Sequence, residues 1–126
     1  MEKRWIYFTD EEVHGLDNEF VAMLDRARHL AAIPFEITCG FRDAAHNAAV
    51  GGVGDSAHLK GLAVDLRCTD SHQAFRIIQA ALAVGFKRAG VYHGQPDPQG
   101  KVQSTHIHLD NDPNLPQEVM WTGFSH

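Results

Sequence analysis

The spacing of apolar residues changes several times along the chain, and each change marks an element. Residues 5–8, WIYF, are a short apolar run that reads as a strand. Thr9 followed by Glu12 is a capping-box signature, so a helical turn starts there. Asp17 caps the next helix, in which Phe20, Leu24, Ala27 and Ala31 recur at helical spacing and form a single apolar face. Pro34 ends that helix. Residues 35–40, FEITCG, alternate between apolar and polar and predict a strand closed by Gly40. DAAHNAAV (43–50) reads as a short helix capped by Asp43, and GGVGDS (51–56) as a glycine-rich loop. No GK[ST] follows that loop, which separates it from the phosphate-binding kind.

LAVDLRC (62–68) predicts a strand. SHQAFRIIQAALAVG (71–85) predicts a helix capped by Ser71, with Phe75, Ile78 and Leu82 along one side and Gly85 where it ends. FKRAGVY (86–92) is a further strand, HGQPDPQGK (93–101) a loop, and STHIHLD (104–110) the last strand. In the tail, DPNLP precedes an apolar VMW that docks back on the body. Helices and strands alternate irregularly, with hairpin-length gaps late in the chain. That pattern predicts one α+β domain over residues 1–126, a mainly antiparallel sheet flanked by helices.

Composition narrows the partners. A chain of 126 residues with 44% apolar positions suits one compact core. The net charge of −5 provides no basic footprint for nucleic acid. The first twelve residues contain no apolar run of signal-peptide length, and no stretch approaches the ~18 apolar residues of a membrane span. The expectation is a monomer without membrane insertion. Cys39 and Cys68 fit no CxxC pattern and sit in apolar segments, so they read as buried thiols and poor zinc ligands rather than a disulfide.

One group of residues suggests chemistry. Asp65 lies inside the apolar run LAVDL, where an unpaired carboxylate is costly. His58 precedes it, with Gly61 between them to allow a tight turn. His106 and His108, two apart on a strand, face the same side. If the two strands are neighbours, His58, Asp65 and one late histidine converge. Two imidazoles and a carboxylate with a fourth position open are the pattern of a catalytic metal site. Taken singly, each residue has a plainer role: His58 a surface loop residue, Asp65 a partner of Arg42 or Arg67, and the late histidines a solvent-facing pair.

The stretch SAHLKGLAVDL (56–66) resembles the SxHxxGxAxDL signature of the zinc D-alanyl-D-alanine carboxypeptidases and related cell-wall peptidases, whose fold is shared with the hedgehog signalling domain. The HIH segment is similar to the one that supplies the third zinc ligand in that family. CGFRDAAHNAAVGG is similar to its arginine segment and the N-x-x-V-G-G stretch that follows. The resemblance spans residues 17 to 110, in the family's order. It implies a hedgehog/DD-peptidase-like fold and zinc (Zn2+) held by His58, Asp65 and His108. It further implies Arg42 on the substrate carboxylate or the developing oxyanion, and Ser56 beside the site as a hydrogen-bonding substrate or ligand contact.

In one place the chain departs from the pattern. Many relatives, among them vancomycin-resistance dipeptidases and several phage endolysins, carry an acid three positions before the last zinc histidine, where this chain has Thr105. A second branch uses HxH, and similarity to it makes His106 the acid/base group, for which an imidazole pKa is suited. The resemblance thus implies hydrolysis of an amide bond in peptidoglycan stem peptides, with a non-catalytic zinc-containing binding module of the same fold as the alternative. An iron(II) oxygenase also uses two histidines and a carboxylate, but with an HxD spacing unlike the six residues between His58 and Asp65. The implied substrate lies outside the cytoplasmic membrane while no export signal is visible. Cytoplasmic synthesis followed by phage-type release through membrane holes reconciles the two.

Overall fold

The computed structural model describes residues 4–43, 56–101 and 104–124. Helix α1, Asn18–Ala31, begins where Asp17 accepts from the N–H of Phe20 and ends at Ala32, whose backbone is left-handed at φ 57°. Two donors of Arg76 close its last turn on the Ala31 carbonyl, at 2.9 and 2.8 Å. Strand β1 is Ile37–Cys39, a 3₁₀ turn spans Ala57–Lys60, and strand β2 is Ala63–Arg67. Helix α2, Ser71–Val84, is followed by β3 (Arg88–His93), β4 (Ser104–Asp110) and β5 (Val119–Phe124).

The five strands lie in the order β1-β2-β4-β3-β5. Three pairings are antiparallel and only β3 with β5 is parallel, which makes this the expected α+β fold with a mainly antiparallel sheet. Both helices cover one face. Phe20, Leu24, Ala27 and Ala31 of α1 are buried in one cluster with Val64, Leu66, Ile107 and Leu109 of the central strands. Phe20 meets Phe86 edge-on at 5.6 Å between ring centres. Because strand residues alternate sides, the partners of those core residues (Asp65, His106, His108 and Asp110) are turned to the opposite face.

Four sequence expectations need correction. Residues 5–8 are not a strand: the N–H groups of Ile6 and Tyr7 go to the carboxylate of Asp25 on α1, at 3.0 and 2.9 Å, instead of to a neighbouring strand. Asp70, not Ser71, caps α2 by accepting from Gln73 N–H. The buried face of α2 is Ile77, Ala80 and Ala81, while Phe75 and Leu82 are 63% and 57% exposed. That helix carries two apolar stripes. The one richer in alanine is packed inward, where α2 runs against α1 and its own small residues Ala27 and Ala31. Finally, 104–110 is not the last strand, since the VMW segment forms β5, with Gly90 opposite Trp121. The helix expected at 43–50 and the glycine loop at 51–56 lie outside the described residues, apart from Asp43 and Ser56.

Candidate metal centre

β2 and β4 are neighbours, with Asp65 directly opposite His108. β1 adds Cys39 opposite Asp65 on the other side. His58 reaches this group from the 3₁₀ turn, whose start is fixed by Ser56: its Oγ accepts from His58 N–H at 3.3 Å. Gly61 ends the turn at φ 70°, and a Cβ there would lie 2.5 Å from the Gly15 carbonyl oxygen, so the turn admits only glycine. Lys60 of the same turn pairs at 2.6 Å with fully buried Asp112, just past β4, which ties the His58 turn to the end of the β4 strand.

Asp65 Oδ1 is the centre of the arrangement. His108 Nδ1 lies 3.0 Å from it and His58 Nε2 3.5 Å, with 5.3 Å between the two ring centres. His58 Nδ1 is 2.7 Å from the Gly40 carbonyl. A carbonyl only accepts, so that nitrogen carries a proton and Nε2 is the one left for a metal. His108 Nε2 meets Asp110 Oδ2 at 2.7 Å. Asp110 is itself held by Arg88 Nε at 2.8 Å and by Asp112 N–H at 3.2 Å. Both partners of His108 are carboxylates, which makes both of its nitrogens donors in this arrangement. A cation would replace the proton on Nδ1 and leave Nε2–H on Asp110, the carboxylate–histidine–metal relay that fixes a ligand's orientation. The donor set therefore fits a divalent metal with nitrogen and oxygen preference.

The electrostatics follow from the same contacts. Burial lowers the pKa of His58, but the hydrogen bond to Asp65, the neighbouring Cys39, the Asp65 charge and the Gly40 carbonyl outweigh it and push it up to about 9. His108 is likewise desolvated yet raised, by Asp110 and Asp65. Burial pushes Asp65 upward, and the two histidines hold it well below the usual carboxylate range. His106 differs in the balance: burial lowers its pKa and the Asp65 charge does not outweigh it, and its ring stacks on Tyr92 at 4.5 Å between centres and 8° between planes.

Of the residues singled out in the sequence, the structure brings His58, Asp65 and His108 together and sets His106 beside them on the same face. Arg42 is adjacent: its N–H donates to the His58 carbonyl at 3.1 Å, and its guanidinium acts on the Cys39 thiol. Cys39, expected from the sequence to be a buried thiol and a poor zinc ligand, stands at the edge of this cluster. It is a half-buried free thiol whose Sγ, with donor atoms of His58 and Asp65, forms a group within 4.8 Å. Burial raises the Cys39 pKa, but His58 and Arg42 bring it down overall. The sulfur approaches His58 at Nδ1, 3.8 Å away, the nitrogen already given to Gly40.

Residues 6–110 match the model of the peptidase M15 family. The chain belongs to that family. Among curated proteins, none matches the chain. Membership makes the protein a peptidase of a zinc-dependent family, and it sets aside the iron oxygenase. The match ends at Asp110, so β5 of this M15 peptidase lies beyond it. The sequence alone assigned no role to Asp110, Arg88, Tyr92 or Trp121. The signal for Asp110 was present: in HIHLD it is the third residue of a period-two series, and hence on the face of the histidines. Arg88, Tyr92 and Trp121 required the strand order. No helix among the described residues is long and apolar enough to cross a membrane.

Proposed function

We propose that this M15 peptidase is a zinc enzyme that hydrolyses an amide bond in peptidoglycan stem peptides, with His58, Asp65 and His108 as its metal ligands. The observation that carries the reading is the position of Asp65 Oδ1 between His58 Nε2 and His108 Nδ1, each imidazole braced on its far nitrogen. Zinc bound there would polarise the scissile carbonyl and lower the pKa of water to ~7. The chain's own residues do the rest. Arg42 binds the substrate carboxylate or the oxyanion, a task suited to a planar fork of donors. His106, outside the ligand cluster but on its face, exchanges protons with the attacking water and the leaving amine. Thr105 stands where relatives have an acid, and its Oγ1 lies 3.3 Å from His106 Nδ1, which leaves Nε2 as the nitrogen that would exchange the proton. Ser56 keeps an O–H to offer substrate, since its bond to His58 uses only the oxygen as acceptor.

The test is direct. Zinc-loaded protein incubated with purified muropeptides should release fragments whose masses identify the bond cut, and a chelator should stop the release. Zinc binding without any change in the muropeptides would leave a binding module of the same fold.

Two further outcomes follow from the geometry. Asp110→Asn should weaken zinc by roughly 10–100-fold, the usual cost of losing the group that orients a histidine ligand. Chelator competition, with thermal unfolding in parallel, checks it; unchanged affinity would reduce Asp110 to a partner of Arg88. The second concerns pH. His58 holds a proton up to about 9 in the absence of metal, and zinc has to displace it. Protons therefore compete with zinc at neutral pH, and apparent affinity should climb by about tenfold per pH unit for each proton released, levelling above about 9. A profile flat from neutral pH upward would mean that the protonated histidines are not the ligands.

A further inference from the structure

β5 lies outside the family match, yet it delivers aromatic structure to the face that carries the site. Trp121 stands opposite Gly90 of β3, and Gly123 stands opposite Tyr92. Each aromatic ring lies over the other strand's glycine. A Cβ on Gly90 would come within 2.5 Å of Trp121 Nε1, and one on Gly123 within 3.0 Å of Tyr92 Cε1. The two side chains are then joined, Trp121 Nε1–H donating to Tyr92 Oη at 2.9 Å. The guanidinium of Arg88, which also grips Asp110, lies 4.8 Å from the Trp121 ring centre. The indole is 5.5 Å from the His108 ring. The far face of the arrangement is the Tyr92 ring, stacked on His106.

A general acid–base group has to hold its imidazole within a fraction of an ångström of the proton it moves, and a side chain with free χ angles does not do so unaided. Among the described residues no carboxylate braces His106 as Asp110 braces His108. Besides the Thr105 hydroxyl at one nitrogen, it has a flat aromatic surface whose own orientation is fixed from β5. We propose that Tyr92 and Trp121 are positioning residues: Trp121 fixes the Tyr92 ring, and Tyr92 holds His106 in its working orientation by stacking. This rests on the reading of His106 as the acid/base group. It makes the last strand part of the active site rather than a cover for the sheet edge.

The experiment reads the imidazole itself as well as the rate. Ring protons of His106, assigned by their loss in His106→Gln, should resonate upfield because the Tyr92 ring lies parallel to them, with or without zinc. In Tyr92→Leu those resonances should return to ordinary positions, and kcat on muropeptides should fall roughly 10²-fold, the cost of a reacting group misplaced by about 1 Å, with KM and zinc content unchanged. Tyr92→Phe keeps the stacked ring and should recover most of both signals. Trp121→Phe, which keeps a ring over Gly90 but removes the N–H donor, should fall between the two, and it supplies the answer should Tyr92→Leu fail to fold. Unshifted His106 resonances in the wild type would overturn the proposal. So would a Tyr92→Leu defect confined to KM, which would make Tyr92 a substrate contact, or one explained by lost zinc. If the wild type cleaves no muropeptide, the peptidoglycan reading fails, and the ring shifts still decide whether Tyr92 and Trp121 hold His106.

Discussion

Asp65→Asn should cost more zinc affinity than any other conservative change in the chain, beyond the ~100-fold ceiling expected for groups that merely orient ligands. The carboxylate does two things at once. It supplies an anionic oxygen between the two imidazoles, and it draws protons onto both in the absence of metal, onto His58 as its main partner and onto His108 together with Asp110. An amide of the same shape keeps the packing but offers a neutral, weaker donor, and half of its polar surface is an N–H₂ that repels a cation. The fold should survive, because Asp65 lies on the face away from the helices and outside the hydrophobic core cluster. The histidines should also change: without Asp65, burial is less opposed, and His58 should titrate below about 9. Chelator competition and histidine NMR on the same sample read both effects. Retention of zinc and of turnover would mean that Asp65 is a structural acid and that the ligands lie elsewhere.

The ligand cluster was legible in the sequence because its parts are local. His58, Gly61 and Asp65 fall within one turn and one strand, and the alternation of His106, His108 and Asp110 is a property of any strand. What alternation cannot supply is the neighbour. That β2 lies against β4, with Asp65 opposite His108, depends on the crossing that places β4 inside the sheet between β2 and β3. Trp121 shows the same limit more sharply. Its own segment is short and ambiguous, and only the parallel pairing with β3 turns it toward the site. The error on α2 has a different cause. Phe75, Ile78 and Leu82 form a larger apolar stripe than Ala74, Ile77 and Ala81, so hydrophobicity alone turns Phe75 and Leu82 inward, when of the three only Ile78 packs against the core. Close approach of α1 and α2 rewards the smaller side chains, and that is a tertiary fact. The N-terminal run failed for a third reason. Asp25, nearly twenty residues away, takes the backbone donors that a strand would have used.

His106 and His108 provide the second large effect, because they share a face and differ in their surroundings. His108 is clamped between Asp65 and Asp110, and the relay through Asp110 to Arg88 leaves one nitrogen for a metal. His106 stacks on Tyr92, and burial, not outweighed by any carboxylate, leaves its pKa below the ordinary imidazole value, so it is able to take a proton at neutral pH. His108→Ala should therefore abolish stoichiometric zinc binding, remove hydrolysis with it, and eliminate the thermal stabilisation that added zinc provides through linkage. His106→Ala should keep one zinc per chain and the zinc-dependent rise in Tm, while losing roughly 10²–10⁴ in kcat, the range of a general acid–base contribution. Metal analysis and a melt with and without zinc separate the two variants before any substrate is added. Loss of zinc in His106→Ala with retention in His108→Ala would reverse the assignment along the strand. Loss in both would give a site with four protein ligands and no position left for water, and the chemistry would then belong to a structural zinc rather than a peptidase.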